Sequence, residues 1–211
     1  STPTDFISTS HYVYHMELDK YRPGFIIYSD GGTLMTTDGT TTHIIAGNYT
    51  QWGYREGVGA DARFYEITGF TRISVKLVVV ADFQNHCMRL IDRISHNTSV
   101  FSGQCESRGY EDGRPGRFRY PRSVVIDQRD MDQLLITDYN IIAVRTVDVK
   151  SRAAGPFVKS DSLKLIIGIT QEEKSGDLYV TAFCAVYRIA YTQRTVTLIS
   201  GKPGSNCHGY R

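Results

Sequence analysis

The 211-residue chain is 41% apolar and 22% charged, with a formal net charge of +2. This is the balance of an ordinary globular domain, and it excludes a disordered tail, a collagen or a coiled coil. The near-neutral charge makes a nucleic-acid partner unfavoured, and no run approaches the roughly 18 apolar residues of a membrane span.

Taken in chain order, the first unit has β-rich stretches at 11–17, at 25–30 ending Ser29-Asp30, and at 43–47 ending Ala46-Gly47. The second has 67–74, the run Leu77-Val78-Val79-Val80-Ala81-Asp82, then 88–92 and 100–103, the last ending Ser102-Gly103. The third has 121–127, 134–138 and 144–148. The fourth has 163–170, 177–182, 186–190 and 198–201, ending Ser200-Gly201. The second stretches end at Asp30, Asp82, Asp138 and Ala182, which are 52, 56 and 44 residues apart. β-Branched and aromatic residues dominate, glycine marks the turns, and no helical periodicity is sustained.

Repeating units of about 50 residues with four antiparallel strands predict propeller blades, because one such sheet buries its faces only against neighbours. The expected fold is all-β, a single β-propeller domain of about four blades of four antiparallel strands. The blades are expected near 11–47, 67–103, 121–158 and 163–201, with a closing connector at 202–211. It forms a compact ring, or is part of a larger or associating propeller. Gly209-Tyr210-Arg211 repeats the start of the connector at 53–57 and stops inside it, as if before another blade.

The stretch Asp82-Phe83-Gln84-Asn85-His86-Cys87-Met88-Arg89-Leu90-Ile91-Asp92 resembles the NHL repeat, and Asp138, Asn140, Arg145 and Asp148 follow it more loosely. The connectors Gly53-Tyr54-Arg55-Glu56-Gly57 and Gly109-Tyr110-Glu111-Asp112-Gly113 are similar to those of the same family, as are Ala62-Arg63-Phe64 and Arg117-Phe118. The first unit lacks the Asn-His part, and the fourth carries Ala182 in place of the aspartate. The resemblance implies an NHL-type β-propeller, a binding scaffold without one shared catalytic set.

Cys87 and Cys105 flank the second unit's later strands, and Cys184 and Cys207 occupy matching places in the fourth. Bridges Cys87–Cys105 and Cys184–Cys207 are expected, each stabilising its blade by about 3 kcal/mol. Free core thiols and metal or redox chemistry are the alternatives. The latter is poor without a Cys-X-X-Cys or paired histidines. An even cysteine count, sequons at Asn48 and Asn97, and a start at Ser1 without methionine or leader together suggest a mature, secreted, glycosylated protein.

Asp30, Asp82 and Asp138 are expected to accept N–H bonds in the turns that follow them, in preference to forming a cation ring. Arg89, Arg145 and Arg188 are expected to pair between blades. Asp127, Asp130 and Asp132 lack calcium-loop spacing and read as a solvated hairpin. His11, His15, His43, His86, His96 and His208 are scattered, and no hydrolase motif is present. No catalytic residue, metal ligand set or cofactor is assigned. The candidate binding residues are Arg108, Arg114, Arg117 and Arg119 with Tyr110 and Tyr120, where aromatics interleave with guanidinium groups. Fourteen tyrosines suit blade interfaces and a contact surface.

The function these features predict is a non-catalytic extracellular binding or assembly module. Its partner is a protein or glycan, or a second copy in a self-associating matrix. The alternative is a propeller enzyme with an axial metal or polar site, of lyase or lactonase type.

Overall fold

A computed structural model describes residues 12–203. Blade 1 contains β1 (Val13–Leu18), β2 (Ile26–Asp30), β3 (Thr33–Thr37) and β4 (Thr42–Gly47). Blade 2 contains β5 (Gly57–Val58), β6 (Ile67–Arg72), β7 (Leu77–Asp82), β8 (Cys87–Asp92) and β9 (Asn97–Ser102), with the short β5 on its outer edge. Blade 3 contains β10 (Pro121–Ile126), β11 (Gln133–Asp138), β12 (Ala143–Asp148) and β13 (Ala154–Lys159). Blade 4 contains β14 (Ile166–Gln171), β15 (Leu178–Ala182), β16 (Ala185–Ile189) and β17 (Val196–Gly201). Each is an up-and-down antiparallel sheet, and the only helical turn among the described residues is Gly59–Asp61. Over the described residues the chain is an all-β propeller of four blades.

The blades share a repeated irregularity as well as a strand count. Each first pair of strands shifts register at Val13/His15, Ile67/Gly69, Pro121/Ser123 or Ile166/Gly168. Each third pair shifts at Leu34/Met35, Met88/Arg89, Val144/Arg145 or Val186/Tyr187. Such bulges strengthen the twist that lets blades fan around an axis.

The cores lie between blades. Ile27, Leu34 and Ala46 of blade 1 pack against Phe64, Phe70, Val78 and Val80. Val79, Ala81, Met88 and Phe101 of blade 2 meet Phe118, Val124, Leu134 and Ile136. Leu135, Val144 and Phe157 of blade 3 meet Ile169, Leu178, Val180 and Tyr187. Blade 2 is therefore covered on both faces, which explains why Val78, Val79 and Val80 are all fully buried along one strand.

The innermost strands pack in the succession β1, β6, β10, β14, and among the described residues no comparable packing joins β14 to β1. Close approach at the axis requires glycine: a Cβ on Gly69 would stand 2.6 Å from the Arg122 carbonyl oxygen. Gly47, Gly103 and Gly201, the small residues that end three outer strands, have φ of 101°, 89° and 91° and so lie where L side chains are strained.

Candidate functional site

In an up-and-down blade, the turn from second to third strand leaves the sheet at the same end as the connector to the next blade. The two motif-bearing stretches of the sequence, 82–92 and 109–118, thus meet at one end of the molecule. Buried ion pairs hold them there.

Asp82 and Arg89 are fully buried and 3.1 Å apart. The Asp82 carboxylate also accepts from Tyr65 N and Asn85 Nδ2, both at 2.8 Å. Arg89 donates to the carbonyl oxygens of Arg63 and Arg55 and lies over the rings of Tyr54 and Phe64, at 4.8 and 5.1 Å. Blade 3 repeats the device. Asp138 accepts from Arg119 N and Tyr120 N, and Arg145 donates to the carbonyl oxygens of Arg117 and Glu111 and to Asp112. Arg145 sits over Tyr110 and Phe118 at 4.5 and 5.0 Å. Burial pushes Asp82 and Asp138 up to about 6 despite the neighbouring arginines and amides.

These contacts correct three expectations. Asp82 and Asp138 draw their backbone N–H donors from the connector before the blade, and from the turn that follows it Asp82 takes the Asn85 side-chain amide. The arginines clamp that connector to their own blade and do not pair between blades. Arg188 is also no counterpart of Arg89: opposite Val180 stands Tyr187, as Arg89 stands opposite Val80. Arg188 is half exposed and paired with Asp177.

The clamp has a consequence at the surface. Asp138 fixes the backbone at Arg119, Arg145 fixes it at Glu111 and lies under the Tyr110 ring, and Gly109 N donates to the Phe118 carbonyl oxygen, so the connector is held on both sides of its loop. Arg108, Tyr110 and Arg119 come together with Lys159 and Ile141 around a cavity of about 280 Å³. The Lys159 ammonium is 5.2 Å from the centre of the Tyr110 ring. Among the described residues, no carboxylate forms an ion pair with Arg108, Arg119 or Lys159. Three exposed cations that line one cavity beside an aromatic side chain can hold an acidic group through charge-assisted hydrogen bonds.

Of the six candidate binding residues, Arg108, Tyr110 and Arg119 line this cavity. Arg117 pairs with exposed Glu111, Arg114 is exposed outside the cavity, and Tyr120 packs edge-on to His86 at 4.7 Å. Lys159 escaped the sequence reading because it lies 40 residues after Arg119. Its register opposite Ala143 brings it to the same end. His86 is half-buried, and burial lowers its pKa, with the Arg108 charge adding to that and a hydrogen bond to the Arg119 backbone opposing it.

The remaining sites are placed as follows. Cys87 and Cys105 are bridged. The pairing of Cys184 with Cys207, the histidines 11 and 208, and the motif at 209–211 lie outside the described residues. Asn97 is exposed at the start of β9, and Asn48 is half-buried, its Oδ1 accepting from Thr50 N and Oγ1. Asp127 is not solvated: it is 2% exposed and accepts from Arg129 N, Gln171 Nε2 and Tyr191 Oη, tying blade 3 to blade 4. Among the described residues, no three His, Cys, Asp or Glu side chains cluster as a metal site. None of their helices is long and apolar enough to cross a membrane.

No family model matches the chain, and no curated protein matches it. Solved structures do. An auxiliary nutrient binding protein from Bacteroides ovatus superposes with a TM-score of 0.66 at 12% identity, over 91% of this chain and 43% of that one. The structure of a nidogen/laminin complex matches at 0.60 and 13%, over 86% of this chain and 60% of that one. Virginiamycin B lyase from Staphylococcus aureus matches at 0.60 and 11%, over 89% and 55%. The likeness is one of fold. This chain spans less than two thirds of each of these proteins, and at such identities the propeller is shared while the ligands are not inferred.

Proposed function

We propose that the protein is a non-catalytic binding module of the extracellular space, and that the pocket of Arg108, Arg119 and Lys159 receives an acidic group of a glycan. The observation that carries this reading is that three cations, none paired with a carboxylate among the described residues, line one cavity together with Tyr110. A cavity of about 280 Å³ is near the lower end of the roughly 300–1,000 Å³ of small-molecule sites. That size suits a single sugar ring with its sulfate or carboxylate. Tyr110, with Lys159 over its ring, forms the aromatic wall of the cavity.

The extracellular setting is supported by the Cys87–Cys105 bridge and by the sequons at Asn48 and Asn97. The NHL-type assignment is supported by a physical role for the motif. Asp82, Asn85 and Arg89 together form the clamp that holds the incoming connector.

Calorimetric titration tests the reading. A sulfated oligosaccharide should bind the wild-type protein, and its unsulfated counterpart should not. Arg108→Ala with Arg119→Ala should weaken binding by at least about 100-fold, since each lost charge-assisted hydrogen bond costs about 1.5–3 kcal/mol. Unchanged affinity in the double variant would overturn the assignment.

A further inference from the structure

We infer that the aromatic side chains Trp52, Tyr54 and Tyr65 form a second subsite beside the anion pocket, taking an uncharged sugar ring of the same glycan. The inference rests on the reading of that pocket as a glycan site. A cavity of about 280 Å³ holds one ring, so the rest of an oligosaccharide lies outside it.

The connectors into blades 2 and 3 are built alike, so their residues correspond one by one. Gly53 N donates to the Phe64 carbonyl oxygen as Gly109 N does to that of Phe118. Asp82 holds Tyr65 N as Asp138 holds Arg119 N. Arg89 lies over Tyr54 as Arg145 lies over Tyr110. Trp52 therefore stands where blade 3 has Arg108, and Tyr65 where it has Arg119. Lys159 faces Ala143 across its strand pair. The matching place in blade 2 is Gly103, one residue beyond Ser102, which faces Met88. All three cations of the pocket are thus replaced, two by aromatic rings and one by glycine, while Tyr54 keeps the place of Tyr110.

These rings are within reach of a ligand and held in place. Trp52, Tyr65 and Tyr54 are 51%, 41% and 36% exposed. Trp52 and Tyr65 meet edge to face with 5.8 Å between ring centres, an arrangement that aromatic pairs favour. A Cβ on Gly32 would stand 3.2 Å from Trp52 Cδ1, so the indole leans on the bare backbone of blade 1 at that glycine. The Arg89 guanidinium, itself fully buried, lies 4.8 Å from the centre of the Tyr54 ring.

The exchange changes what the place can bind. It removes the three cations that favour an acidic group and adds aromatic area. An uncharged pyranose fits such a surface: its C–H hydrogens lie against the negative faces of the rings, and its hydroxyls bond the tyrosine Oη atoms. One residue joins the two sites. Asn85 Nδ2 donates to the Gly53 carbonyl oxygen at 2.8 Å, and the Asn85 carbonyl oxygen accepts from Glu106 N at 2.8 Å. Gly53 is flanked by Trp52 and Tyr54, and Glu106 stands two residues before Arg108. A glycan lying across Asn85 reaches both, with its acidic unit on blade 3 and its uncharged neighbour on blade 2.

Trp52 is the only tryptophan of the chain, so intrinsic tryptophan fluorescence reports on this subsite alone. The probes are a sulfated N-acetylglucosamine and the same sugar linked to one uncharged galactose, titrated while the arginine side-chain resonances are followed in parallel. The disaccharide should bind about 10-fold more tightly than the monosaccharide, the increment of one aromatic contact. Only the disaccharide should change the Trp52 emission. Trp52→Ala should lower the disaccharide to the affinity of the monosaccharide, and Trp52→Phe should keep most of the gain, with the circular dichroism of both matching the wild type. Equal affinities of the wild type for the two sugars, an unmoved Trp52 emission, or a gain retained in Trp52→Ala would overturn the inference, and saturating Arg108 and Arg119 signals would then leave the pocket standing. If those arginine signals respond to neither sugar, the pocket reading fails and this subsite fails with it.

Discussion

Tyr187 occupies in blade 4 the position that Arg145 occupies in blade 3: Val180 stands opposite Tyr187 as Ile136 stands opposite Arg145. The turn lengths explain why the neighbouring Arg188 is not the equivalent. Residues 139–142 separate β11 from β12, but only 183 and 184 separate β15 from β16. Counting from the start of each third strand, the third residue faces the preceding blade. Arg188 is the fourth and therefore faces solvent.

The two arginines should respond differently to removal. Arg145→Met leaves the Asp138 carboxylate buried without its guanidinium, and such broken pairs cost about 3–5 kcal/mol. Arg188→Ala loses only a half-exposed pair that solvent screens, and should leave stability nearly unchanged. Chemical denaturation of the two variants checks the ranking, and equal losses would mean that the buried clamp does not hold the connector.

The bridge between Cys87 and Cys105 spans a sequence separation of 18. It restrains the unfolded chain over that loop, so Cys87→Ser with Cys105→Ser should lower unfolding free energy by about 3 kcal/mol. Tm should fall while the circular dichroism of the folded protein stays the same. No change in Tm would show that the bridge adds nothing to the stability of blade 2.

Asp138 makes a pH prediction with a definite sign. Burial raises its folded pKa to about 6, from an unfolded value of 3.8. The folded state therefore binds more protons between these values, and the stabilisation grows as pH falls through 6 and is complete below the unfolded pKa. Relative to Asp138→Asn, which does not titrate there, the wild type should gain stability from pH 7 to pH 4. Paired melts at several pH values measure this. A wild-type advantage that shrinks on acidification would mean that the Arg145 charge outweighs desolvation.

Much of the fold was legible because blades repeat with bulges and glycines in register. Val78, Val79 and Val80 form an unbroken apolar run because blade 2 is covered on both sides. In blade 4, Leu178 and Val180 are buried while Tyr179 and Thr181 are less so, because one face is free. The clamp was only half legible. Its charged residues recur visibly, but their partners are backbone groups of the connector, which carry no signature in side-chain type. The pocket was legible as a basic stretch. Which arginines are spent on Glu111 and which stay unanswered depends on the path of the 109–118 loop, and Lys159 enters through strand register alone.

The most direct test of the anion pocket is side-chain nuclear magnetic resonance during titration with a sulfated disaccharide. Arg108 and Arg119 Nε–Hε signals and the Lys159 ammonium should shift together and saturate at one equivalent. Shifts confined to arginines elsewhere, such as Arg114 or Arg129, or no saturable shift, would contradict the proposed site.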